Sequence, residues 1–141
     1  MSQPSLRRFI TAEDVQTEHL PWGPHEWICR QGIVDAKKLV LVRVTMPPGK
    51  AHKFHTHPGQ EEIVYILSGQ AEQWVDKESK ILRAGEAAHI PAGVVHATHN
   101  AGDTDLVFLA MLSPAEFDGP GLVDVSNEAP WANLGPKGRE T

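Results

Sequence analysis

The feature that most constrains this chain is the way its apolar residues come in brief runs cut by glycine and proline. The 12 glycines and 11 prolines are spread along 141 residues. Between them lie short stretches rich in β-branched residues: Lys38–Met46, Ile63–Leu67, Ala71–Val75, Val94–His99 and Leu106–Leu112. Runs of this length bounded by turn formers read as strands. Their repetition predicts an all-β sandwich or barrel. No central stretch keeps an apolar spacing of three and four, so long helices are not expected. Turns are expected at Asp35-Ala36-Lys37, Asp76-Lys77-Glu78-Ser79 and Asn100-Ala101-Gly102-Asp103. One short helical turn is expected within Thr11–His19.

The length suits a single domain with a real core. The expected organisation is an N-terminal arm over residues 1–20, a barrel over 21–113 and a C-terminal tail over 114–141. The tail carries Asp118-Gly119-Pro120-Gly121 and either docks through Trp131 and Leu134 or stays disordered. The formal net charge of −5 offers no electrostatic ground for binding nucleic acid or an anionic membrane. No apolar run approaches the roughly 18 residues that span a bilayer. Arg7 and Arg8 are followed by Thr11, Glu13 and Asp14 rather than by the apolar stretch of a secretory signal. Cys29 is the single cysteine, so no internal disulfide can form, and it is expected to be a small buried hydrophobe. Together these features point to the cytoplasm.

The histidines carry the chemistry. There are 8, and most fall in two groups: His52, His55 and His57, then His89, His96 and His99. Residues two apart on a strand share a face. His55 and His57 can therefore address one point, and His96 shares a face with Thr98 while His99 points away. A carboxylate follows at Glu61 or Glu62, and alternation does not choose between them because Pro58-Gly59 breaks the strand. If Glu62 faces inward, so do Val64 and Ile66, leaving Ile63, Tyr65 and Leu67 to pack on the other side. Gly49 before His55 and Gly85 before Pro91 stand at equal spacing, which hints at two similar halves.

Gly49, His55, His57, Glu62 and Gly69 together resemble the first motif of the cupin superfamily. Gly85, Pro91, Gly93, His96 and Asn100 resemble the second. The 15 residues between Gly69 and Gly85 resemble the short inter-motif spacing of compact single-domain cupins. The resemblance implies a double-stranded β-helix, or jelly-roll barrel, with little helix. It implies Glu62 rather than Glu61 as the carboxylate, and one divalent transition metal ion (Fe, Mn, Ni, Zn or Cu) on His55, His57, Glu62 and His96. Imidazole and carboxylate donors suit these metals. Such a set leaves coordination positions open, unlike a closed structural zinc site built on cysteines. The implied function is that of a metal-dependent enzyme acting on a small organic molecule, of dioxygenase, isomerase or lyase type. The alternative is a non-catalytic module that binds a small ligand or metal. A homodimer is implied by the same analogy.

Around this set, His89 is a candidate group behind the ligands or for proton transfer, or else a satisfied barrel histidine. Gln73 is a candidate hydrogen-bonding group of the pocket. Arg43 shares a face with Leu41 and Thr45, and either pairs a substrate carboxylate inside or lies on the surface. His52 and Lys53 read as solvated loop residues, or else as the rim of the pocket mouth, Tyr65 as packing outside the barrel, and Trp22, Trp27, Trp74 and Trp131 as core or interface residues.

Overall fold

Strict alternation builds the centre of the molecule. In a computed structural model, which describes residues 8–135, Val40, Val42, Val44 and Met46 are buried, while Arg43 between them is exposed. Among the described residues eleven strands form: β1 Gln16–Leu20, β2 Gly23–Cys29, β3 Val40–Met46, β4 Ala51–Thr56, β5 Glu61–Ser68, β6 Gln70–Val75, β7 Glu78–Arg83, β8 Ala87–Ile90, β9 His96–Asn100, β10 Leu106–Ser113 and β11 Val123–Asp124. They make two antiparallel sheets, ordered β1-β2-β3-β10-β5-β8 and β11-β4-β9-β6-β7. This is the all-β jelly roll expected from the punctuated runs. The core lies between the sheets and joins the inner faces of β3, β5 and β10 to Ala71, Leu82 and Ile90.

Tight joints hold this sandwich in register. At Gly69, with φ +84°, a Cβ would lie 2.6 Å from the Asp105 carbonyl oxygen, so only glycine lets β5 turn into β6 here. The β6–β7 hairpin closes on Asp76, whose φ of +54° is a conformation that aspartate tolerates. Asn100 is fully buried. Its amide donates to the carbonyls of Met46 and Thr104 at 2.9 and 2.8 Å, and its oxygen accepts from the Gly102 N–H.

Some sequence expectations are corrected and others are narrowed to one alternative. The arm expected over residues 1–20 contributes strand β1, which pairs along its whole length with β2. The one short helical turn expected within Thr11–His19 is present as a 3₁₀ turn, Ala12–Asp14, with Thr11 as its N-cap. Residues 1–7, including Arg7, lie outside the described residues, as do residues 136–141. The tail is bound to the barrel: β11 pairs with β4, the Val125 N–H donates to the Phe54 carbonyl at 3.1 Å, and Trp131 packs on Phe54. Cys29 is only half-buried. Ile63, Tyr65 and Leu67 are each 38% exposed, so the outer face of β5 has no full cover among the described residues. Among the described residues no helix is long and apolar enough to cross a membrane.

Candidate metal centre

Three strands and one loop bring the expected ligands together. His55 is opposite His96 across the β4–β9 pair. A register shift between His52 and His55 bulges β4, so both rings face inward although they are three residues apart. His57 follows the end of β4, and Glu62 comes from the start of β5. The imidazole nitrogens of His55, His57 and His96 lie within 4.8 Å of one another. The Glu62 Oε1 stands 2.9 Å from His96 Nε2 and 3.4 Å from His57 Nε2.

The protonation pattern is set by the backbone. Each Nδ1–H donates to a carbonyl: His55 to Lys53 at 2.6 Å, His57 to Gly121 at 2.7 Å and His96 to Val94 at 3.0 Å. That leaves each Nε2 as a lone pair directed at Glu62's end of the barrel. Glu62 Oε1 and His96 Nε2 are buried without a hydrogen-bond partner, although they are so close. Two facing acceptors repel unless a cation or a proton sits between them. Donors held ~2.1 Å from one ion stand about 3.0 Å apart when adjacent. The cluster therefore has both the chemistry and the spacing for a divalent metal.

The remaining candidates fall in different places. Gln73 is buried and accepts from the Thr98 hydroxyl at 2.6 Å, on the inner face beside His96. His99 faces outward, edge-on to Phe54 and against Gly135. His89 and Glu61 form an exposed pair on the outer face. β5 alternation turns Glu61 away from Glu62, and the β5–β8 register sets His89 opposite Ile63. Arg43 also faces outward, 3.9 Å from Glu26, because its neighbours Val42 and Val44 occupy the core.

Two features escaped sequence reasoning. One is the Gly121 carbonyl on His57, contributed from 64 residues along the chain. The only local sign was the turn composition of Asp118–Gly121. The other is His52, which is not a solvated loop residue. It is sandwiched in a stack, with ring centroids 4.1 Å from Trp22 and 3.6 Å from His55. The bulge that creates this stack has no residue signature.

Two cavities reach the ligands. One of about 210 Å³ runs past Trp22, His52, Leu122 and Asp124 to His55. A larger one, of about 410 Å³, reaches His57 between β2, β3, the end of β10 and the tail.

Burial shapes the electrostatics of this corner. It pushes His52 and His55 well below the ordinary imidazole range, and neighbouring imidazoles push the same way. His25 is also lowered, chiefly by burial, against the pull of the Gly23 carbonyl and Glu18. Unfolded imidazoles take up a proton near ~6.5 and these folded ones only at lower pH. Their contribution to stability is thus fully present above ~6.5 and is lost as pH falls below it. Metal-free protein should show a lower urea midpoint at about pH 5 than at about pH 8, and His52→Phe, which keeps the stack, should flatten that dependence. A pH dependence unchanged by His52→Phe would show that the stacked imidazole is not one of its sources.

The architecture has counterparts among known proteins. A family model described as "Cupin domain" matches residues 42–112. Polyketide synthase CurC of Streptomyces cyaneus is 38% identical over 87% of this chain and 79% of its own length. The oxalate-binding protein of Thermotoga maritima is 34% identical over 54% of this chain, and the match spans 63% of that protein. Among solved structures, KdgF from Halomonas sp. superposes with a TM-score of 0.67 at 20% identity, over 79% of this chain and 96% of that one. With a family match that spans both motifs and the inward ligand cluster, the chain belongs to the cupin family.

Proposed function

We propose that this chain is a metal-dependent enzyme acting on a small organic molecule, of dioxygenase, isomerase or lyase type, with one divalent transition metal on His55, His57, Glu62 and His96. The observation that carries this reading is a tautomer-locked donor cluster that opens at His57 onto a cavity of about 410 Å³. A structural ion is normally enclosed by its ligands. When bound, a divalent ion supplies Lewis acidity and coordination positions that the protein does not fill. The chain's own residues do the rest. Lys53, Gly121 and Val94 hold the three imidazoles in one tautomer through their carbonyls. Glu62 offsets the ion's charge, and Gln73 with Thr98 offers a fixed polar pair on the inner face beside His96.

A second reading, a non-catalytic module that binds a small ligand, is favoured by the Thermotoga relative, which is an oxalate-binding protein. We propose further that the chain is cytoplasmic and forms a homodimer, joined through the outer face where Ile63, Tyr65 and Met111 are exposed. Metal analysis of protein purified without chelators or a nickel column should find about one ion per chain. Oxygen-uptake and product assays with small diols, diones and carboxylates should then find metal-dependent turnover. Tight binding without conversion of any of them would favour the second reading, and metal-free protein that refuses added ions would defeat the first.

A further inference from the structure

The larger cavity has a composition that bears on what it holds. Its wall is mostly apolar, made by Val40, Leu112, Phe117 and Leu122 together with the Trp27 ring, with the amides of Gln31 and Gln60 among them. Among the described residues that line it, Arg30 is the only charged one. The Arg30 guanidinium lies 4.5 Å from the Trp27 ring centroid. Both groups are braced from β1. Trp27 Nε1 donates to Glu18 at 3.0 Å, and Arg30 Nη2 donates to Gln16 at 2.8 Å. Gln16 and Glu18 are two apart on one strand and so act from one face. Stacking and edge bonding remove rotamer freedom from a long side chain before any ligand arrives. A guanidinium has five N–H donors, so its bond to Gln16 leaves others to meet a planar oxygen pair.

This arrangement suits a particular molecule. A cavity of about 410 Å³ falls in the range of small-ligand pockets, ~300–1,000 Å³. A two-carbon dicarboxylate has no apolar surface to set against the wall and would leave it wet. A flat ring fills it, and a single anionic group matches a single cation.

We propose that the ligand of this site is an aromatic acid, its ring against Trp27, Phe117 and Leu122, its carboxylate on Arg30, and an oxygen at its far end directed toward His57 and the other metal ligands. The far oxygen rests on the metal-dependent reading above, whereas the ring and carboxylate contacts do not.

The test uses the full chain, as isolated and after chelator treatment, titrated calorimetrically with three probes. These are a hydroxynaphthoate with its two groups on opposite rings, naphthol and oxalate. The hydroxynaphthoate should bind about tenfold or more tighter than oxalate. Arg30→Gln should weaken it about tenfold while leaving naphthol within about twofold, since naphthol carries no carboxylate. Oxalate binding as tightly as the hydroxynaphthoate would overturn the proposal. So would an Arg30→Gln variant that binds the hydroxynaphthoate unchanged or loses both aromatic probes equally. Chelator treatment separates the two claims. Hydroxynaphthoate binding that persists through Arg30 in a protein with no affinity for metal keeps the ligand class and removes the metal-dependent reading. One ion per chain with oxalate preferred does the reverse.

Discussion

Replacing His96 with alanine should lower metal affinity by more than about 100-fold, whereas His99→Ala should leave it within about twofold. The two residues are three apart on β9 and both are buried, at 2% and 5% exposure, so burial alone would not separate them. Direction separates them. His96 faces His55 and His57 across ring-centroid distances of 4.1 and 5.2 Å, with its Nε2 aimed at Glu62. His99 packs on the other face between Phe54 and the tail at Gly135. Loss of an outer-sphere partner typically costs about 10–100-fold in affinity, and loss of a ligand itself should exceed that. His99→Ala instead leaves a hole under the tail and should cost about 2 kcal/mol of stability. Metal per chain, measured beside urea unfolding, gives the two variants opposite signatures. Equal metal loss in both would mean that β9 does not present its faces as described.

The parts of the molecule that were legible in the sequence are those where burial and alternation coincide. β3, β5 and β10 carry apolar residues at almost every second inner position, so their existence follows from pattern alone, while the second apolar row on β5 and the choice of face for Arg43 on β3 left their direction open. β1 was illegible for the opposite reason. As a paired edge strand whose residues are mostly exposed, it carries Gln16, Thr17, Glu18 and His19, with no apolar period to read. β2 was hidden by Pro24, which usually demotes a strand assignment and is here tolerated beside the sheet edge.

The candidate metal centre divides along the same line. His55 and His96 could be placed because a strand fixes where a side chain points. The choice of Glu62 over Glu61 needed the resemblance to a family motif, since Pro58-Gly59 resets the alternation; the structure has Glu62 buried and Glu61 exposed beside His89. The His52 stack and the Gly121 carbonyl depend on a bulge and on a long-range backbone contact, neither of which is encoded by residue type. Arg43 shows the converse risk. A charged residue on a strand between valines invites an inward, substrate-pairing role, yet the same alternation that buries Val42 and Val44 must turn it out to Glu26.

Phe117→Ala should lower metal affinity by about tenfold, with no ligand touched. Two of the three histidines orient themselves locally, through carbonyls two residues before them, but His57 relies on Gly121 in the tail. The segment that carries Gly121 is held along its length. Gln60 donates to the Pro114 carbonyl at 3.0 Å, and the N–H groups of Ala115 and Glu116 donate to the Lys37 carbonyl at 3.1 and 3.3 Å. Phe117 is wedged against Gly59 and Gly121, where an added Cβ would lie 3.1 and 3.3 Å from its ring. Removing that ring frees the strap between its anchor at Ala115 and β11, and with it the acceptor that fixes the His57 tautomer. The ring is half-buried, so the accompanying loss of stability should be about 2 kcal/mol, below the ~3–5 kcal/mol of a fully buried phenylalanine. Ending the chain at Ser113 should carry the same effect toward about 100-fold, because it deletes the acceptor itself. A chelator-competition titration measures both variants. If Phe117→Ala unfolds more easily yet holds metal as tightly as the parent, the strap stabilises the barrel without orienting His57.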